Sequence, residues 1–269
     1  MKNDFLIRLR SSLIIIVMTG LLLYIGGIPL FAMIAVISLA GLFELYQALG
    51  IKKTSLAAAG MVGSCLFLEA VYLGWNAWLL LVLFLAFVLV AGVFVFTFPR
   101  YNFTQTAYAF FGIFYIPVML SFIYRIRAME DGFVLVWLVF IASWGSDTLA
   151  YCAGLLFGKH KMTPLLSPKK TWEGAAGGVL GSAMIGLIYV LILRSHFSFI
   201  NNPLLVLPLL CALGSVISQI GDLTASAIKR SMDVKDYGNL IPGHGGILDR
   251  FDSVIATAPI VYYLLLMAH

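Results

Sequence analysis

From Ser11 to Phe43 the chain carries no Asp, Glu, Lys or Arg. As one helix that run would be about 50 Å long, well beyond a hydrocarbon core of about 30 Å. It must therefore turn back, and Gly26, Gly27 and Pro29 supply the turn. Gly74 and Asn76 do the same inside the apolar run from Ala57 to Phe98. The rest of the chain has the same character: 62% of its 269 residues are hydrophobic and 11% charged. Its mean hydropathy is +1.02. These values exclude a soluble fold and predict an all-α polytopic membrane protein. Spans of about 20 apolar residues are predicted near 11–27, 29–43, 56–73, 75–98, 104–124, 133–157, 173–193, 203–221 and 252–268, about nine transmembrane helices in all.

The cations set the orientation. With the N-terminus cytoplasmic, the inner segments hold Lys2, Arg8, Arg10, Lys52, Lys53, Arg100, Lys159, Lys161, Lys169, Lys170, Lys229, Arg230, Lys235 and Arg250. Only Arg125, Arg127 and Arg194 of the 17 Lys and Arg fall outside, as the positive-inside rule requires. His269 is then on the outer side. The same asymmetry explains the net charge of +5 without nucleic acid as a partner. The basic N-terminus and the apolar run behind it lack a small-residue cleavage site, so the first span is expected to be retained. Cys65, Cys152 and Cys211 show no paired spacing and read as small buried hydrophobes.

The two longest polar segments, Lys159 to Trp172 and Leu223 to Phe251, are both expected on the inner side. They divide the chain into membrane spans at 1–130, acting as scaffold, lipid contact or substrate cavity, and a catalytic membrane region at 131–269 with cytoplasmic loops 159–172 and 223–251. The second loop contains SAIKRSMDVKDYGNLIPGHGGILDRFD, Ser226 to Asp252. If the eighth helix continues past Asp222, then Asp222, Ser226 and Lys229 or Arg230 share one helical face. Asp249 and Asp252 share a face at the start of the ninth. Carboxylates at the end of one span and the start of the next suit Mg²⁺, which prefers oxygen ligands and leaves positions for substrate phosphates. Gly243, Gly245 and Gly246 let backbone N–H groups approach an anion. The alternative is a solvated loop of exposed ion pairs around a glycine turn.

In Ser167 to Gly174, SPKKTWEG, Lys169 and Lys170 are candidate phosphate contacts, with Thr171 and Glu173 supplying hydrogen bonds or a further cation ligand. The other reading makes Thr171 an N-cap and Glu173 a first-turn acid. Asp147 lies about 15 Å into its span, where a carboxylate is costly and points to function. Ser143, Asp147 and Tyr151 recur every four residues as a polar stripe, either lining a cavity toward a lipid head group or joining packed helices. Glu44 and Glu69 have no such constellation around them. His244 is read either as a phosphate contact or as a turn residue.

These segments resemble the CDP-diacylglycerol synthase, or phosphatidate cytidylyltransferase, family. The resemblance rests on Ser226, Lys229, Arg230, Lys235, Asp236, Gly238, Pro242, His244, Gly245, Gly246, Asp249, Arg250 and Asp252 in order and spacing. It extends to Ser167–Gly174 and to Ser143–Lys159, and covers the first half in hydropathy alone. It implies a Mg²⁺-dependent membrane enzyme that joins CTP and phosphatidic acid into CDP-diacylglycerol and pyrophosphate, with a second cation left open. Asp222 and Asp249 are then the principal metal ligands, Asp252 and Glu173 further ones, and Lys229, Arg230, Lys235 and Arg250 the phosphate clamps. Ser167, Lys169, Lys170, Thr171, Ser226, His244, Gly245, Gly246 and Asp147 are the expected substrate contacts. A homodimer in a bacterial inner (plasma) membrane, its active site facing the cytoplasm, is also implied. Two other classes stand beside it: a CTP-dependent polyprenol or phytol-type lipid kinase, and a secondary transporter with Asp147 and Asp222 on an ion path.

Overall fold

The computed structural model describes residues 2–197, 200–241 and 245–268. Among these, eight helical spans are long and apolar enough to cross a membrane. An additional apolar helical segment, Arg10–Ile25, is shorter. The helices in chain order are α1 (Lys2–Ile25), α2 (Gly27–Ala48), α3 (Ser55–Tyr72), α4 (Leu79–Thr97), α5 (Phe103–Ile113), α6 (Met119–Arg127), α7 (Gly132–Leu135), α8 (Trp137–Phe140), α9 (Ser146–Phe157), α10 (Trp172–Leu193), α11 (Pro203–Ser231) and α12 (Leu248–Ala268). The polytopic all-α architecture is thus present. One detail departs from it: Lys159 to Trp172 is not irregular, because Lys161–Thr163 (β1) and Ser167–Thr171 (β2) pair antiparallel.

The turns follow the backbone chemistry of the sequence. Gly26 and Gly27 have φ of 69° and 53°, a left-handed region in which side chains are strained. Pro29 falls in the first turn of α2, where its missing N–H costs nothing. Gly74, at φ 71°, makes the second reversal. Asn102 and Gln105 close α5 with reciprocal hydrogen bonds of 3.0 and 2.9 Å, a capping box.

The chain forms two compact units, Met1–Tyr124 with Met232–Arg250, and Arg125–Ser231 with Phe251–His269. In the first, the Tyr46 hydroxyl donates to the Ala109 carbonyl at 2.6 Å. The ring lies so close to Gly60 and Gly112 that a Cβ at either would overlap it. The small residues of α3 and α5 thereby let a buried tyrosine join three helices. α4 is the opposite case, with Leu80 79% and Phe96 91% exposed. So much apolar surface matches a lipid-facing helix, not one exposed to water.

In the second unit α9 and α10 approach through glycine: a Cβ at Gly177 would overlap Ala153, and one at Gly181 would overlap Leu149. Ser146 and Ser215 hydrogen-bond at 2.6 Å, tying α9 to α11. Helix α11 runs for 29 residues to Ser231, ten beyond its predicted end. Its final turns carry the polar sequence Asp222 to Ser231, so helical propagation continues after the apolar stretch stops. A π-helical segment, Ile141–Gly145, precedes α9 and alters the phase of the residues behind it.

Candidate active site

The second unit assembles three carboxylates from three helices. Asp147 stands in the first turn of α9, Asp222 in α11 and Asp252 near the start of α12. Asp147 hydrogen-bonds the Ser253 side chain and lies within electrostatic range of Asp222 and Lys170. Asp252 faces Asp222, Asp147 and Lys229, and its Oδ1 accepts the Ser253 N–H at 2.8 Å. Lys170, from β2, brings its Nζ to 2.5 Å from Asp222 Oδ2.

The hairpin accounts for that reach. Thr171 caps α10 by accepting the Gly174 N–H at 3.1 Å. Glu173 accepts the N–H of Lys159 at 3.1 Å and that of His160 at 3.2 Å. The His160 ring adds a contact of 2.5 Å. Both ends of the hairpin are thereby tied to the first turn of α10. Lys169 is exposed while Lys170 is half-buried. Ser167 is half-buried in the same strand.

Ser226 and Lys229 continue the Asp222 face of α11 at one-turn spacing, half-buried, and Arg230 is exposed. The stripe read from the sequence does not hold together around Asp147. Ser143 is buried with its hydroxyl on the Val139 carbonyl at 2.7 Å, whereas Tyr151 is 70% exposed. Ser143 lies inside the π-helical segment, which shifts it relative to Asp147 and Tyr151 on α9.

Oxygen donors alone, gathered where three helices meet, are the chemistry of a hard cation such as Mg²⁺. The carboxylates do not yet enclose an ion: among the described residues no three His, Cys, Asp or Glu side chains form a metal-holding group. Lys170 takes the position beside Asp222.

The first unit holds a second carboxylate arrangement, around the loop of residues 232–250. Asp249 Oδ2 accepts the N–H groups of Tyr237 and Gly246, both at 2.9 Å. Glu44, from α2, accepts that of Ile247 at 3.0 Å on Oε1 and that of Leu248 at 2.9 Å on Oε2. Three consecutive amides, at 246, 247 and 248, therefore point at carboxylates of the chain itself. Gly245 has φ 84°, and its carbonyl accepts the Ile241 N–H at 2.9 Å, closing the loop. Lys235 is exposed and Arg250 half-buried. His244 lies outside the described residues.

Sequence reasoning passed over Glu44 because its partners are backbone groups 203 and 204 positions away. The available signal was the burial cost of a lone carboxylate inside an apolar helix.

Residues 6–268 match the model of the cytidylyltransferase family. A phosphatidate cytidylyltransferase of Staphylococcus saprophyticus is 37% identical over 167 residues, 62% of each chain. One of Rickettsia felis is 35% identical over 168 residues, 61% of this chain and 74% of that one. One of Bacillus subtilis is 33% identical over 273 residues, 96% of each chain. With a match running through nearly all of its helices, the chain belongs to the cytidylyltransferase family.

Proposed function

We propose that this chain is a phosphatidate cytidylyltransferase, converting CTP and phosphatidic acid into CDP-diacylglycerol and pyrophosphate. The observation that carries the reading is the Asp147, Asp222, Asp252 and Lys170 cluster in a chain with a full-length relative of that name. An oxygen of the lipid phosphate attacks the α-phosphorus of CTP. The new P–O bond forms as the bond to the bridging oxygen of the β-phosphate breaks, and pyrophosphate leaves with that electron pair. A phosphate monoester is largely dianionic near neutral pH, its second pKa being about 6, so no strong general base is needed. The harder problem is repulsion between two anionic substrates, which cationic side chains relieve.

Lys170, Lys229 and Arg250, and the more exposed Lys169, Arg230 and Lys235, are the proposed phosphate contacts, joined by Ser167, Thr171, Ser226, Gly245 and His244. Asp222 assisted by Asp252 in the second unit, and Asp249 in the first, are the proposed Mg²⁺ ligands. Bound there, Mg²⁺ would supply Lewis-acid charge for the transferring phosphoryl group and the leaving pyrophosphate. Glu173, engaged with His160 and two amides, is assigned to holding the hairpin. The cation asymmetry supports a cytoplasmic site in an inner membrane, and the family resemblance is the basis for proposing a homodimer.

Purified protein given phosphatidic acid and CTP labelled at the α-phosphate should move label into the lipid phase and release pyrophosphate. Transfer of γ-label to an alcohol lipid would instead establish a lipid kinase. Label confined to the aqueous phase in both arms removes either transfer reaction.

A further inference from the structure

We propose that Glu44 is a positioning residue for the reaction proposed above, a carboxylate from the apolar half that fixes the backbone of the glycine-rich loop next to Asp249. Glu44 is 3% exposed in a span otherwise free of charge between Ser11 and Phe43. A carboxylate there costs several kcal/mol unless hydrogen bonds offset the desolvation. The two that do so come from Ile247 and Leu248, the residues immediately before Asp249. They enter at the N-terminus of α12, whose first amides lack intrahelical partners and whose dipole favours an anion.

The fit is steric as well as electrostatic. A Cβ at Gly238 or Gly246 would overlap the Glu44 carboxylate, so both glycines are needed for the loop to close over it. Asp249 takes the preceding amide, that of Gly246, and reaches back to Tyr237. Glu44 and Asp249 therefore act as one clasp: removing Glu44 releases the two amides that set where Asp249 and Arg250 leave the loop. The amides at 246–248 hold carboxylates and are not offered to a substrate phosphate. Phosphate recognition is left to side chains, of which the clasp positions Arg250, next in the chain to Asp249.

The test uses Glu44→Gln, nearly the same size, in the full-length protein. Hydrogen bonds to a charged acceptor are worth about 1.5–3 kcal/mol, so turnover should fall about ten- to a hundredfold and the Mg²⁺ concentration for half-activation should rise. Amide exchange across 245–249 should accelerate by a similar factor, while peptides from α3, α5 and α10 keep their protection. Gly238→Ala, which presses on the same carboxylate from the loop side, should reproduce both effects. Glu44→Asp, keeping the charge on a shorter stem, should restore part of the turnover.

Unchanged turnover and Mg²⁺ requirement per folded molecule, with only a lower melting temperature, would make Glu44 a purely structural residue and overturn the proposal. Unchanged exchange at 245–249 would overturn it too. Wild-type protein that transfers no label refutes the proposed function instead, a result separable from the exchange measurement on the clasp.

Discussion

Two groups of carboxylates in this molecule use the same side chains to opposite ends. In the first unit, Glu44 and Asp249 are surrounded by backbone donors: four N–H groups reach three of their oxygens at 2.9–3.0 Å. In the second, Asp147, Asp222 and Asp252 face chiefly one another, a serine and two lysines. Backbone amides are fixed by the fold and cannot be exchanged for a ligand without unfolding the loop. An ammonium on a flexible stem and a neighbouring carboxylate can be. The first arrangement therefore fixes the loop that carries Asp249, and the second is the one proposed to take a cation and phosphates.

The sharpest way to break this comparison is to neutralise one member of each group. Asp222→Asn should abolish measurable turnover, a loss of several kcal/mol of transition-state stabilisation, while the protein extracts and melts as before. Asp222 is half-buried beside Lys170, and its contact there is with a side chain. Asp249→Asn should also lose turnover, and in addition about 1–3 kcal/mol of stability as the amides of Tyr237 and Gly246 lose a charged acceptor. Melting curves in detergent, read beside label transfer, separate the two. A destabilised Asp222→Asn with an unaffected Asp249→Asn would invert the assignment.

Much of this was legible in the sequence, for identifiable reasons. Eight of the nine expected spans follow from the bilayer thickness, the first being a shorter apolar segment, Arg10–Ile25, among the described residues, and the reversals follow from Gly26, Gly27 and Gly74, whose positive φ only glycine adopts cheaply. The prolonged α11 was foreseeable as a condition, since Asp222, Ser226 and Lys229 have helical spacing. Three features were not legible. The β1–β2 hairpin depends on Glu173 reaching the amides of Lys159 and His160, a contact across a turn that no periodicity encodes. The phase change ahead of Asp147 comes from a π-helical segment, which leaves no residue signature in the sequence IASWG of Ile141–Gly145. Glu44 was visible as a charge, but its partners are main-chain groups, and these look alike at every position of a sequence.

The hairpin offers a finer comparison, between neighbouring lysines. Lys170→Ala removes the ammonium at Asp222 and should lower turnover or raise the CTP requirement by about ten- to a hundredfold, the worth of a charge-assisted contact. An unaltered rate in this variant would detach β2 from the site.

The smallest effect is expected at Lys169. Its side chain is exposed, whereas that of Lys170 is half-buried against Asp222. A surface substitution away from caps and ion pairs changes stability by no more than about 0.5 kcal/mol. Long-range attraction to an anionic nucleotide survives only partly at physiological salt, where the Debye length is about 8 Å. Lys169→Ala should therefore leave turnover within about twofold of wild type at physiological salt, since an exposed charge contact is worth only about 0.5 kcal/mol, which corresponds to about that factor in rate. Any rise in the CTP requirement should grow as salt is lowered. Measuring both lysine variants at low and physiological salt decides between contact and steering. If Lys169→Ala matches Lys170→Ala at both, the strand does not present its two lysines to different surroundings, and the contact between Lys170 and Asp222 is not what distinguishes them.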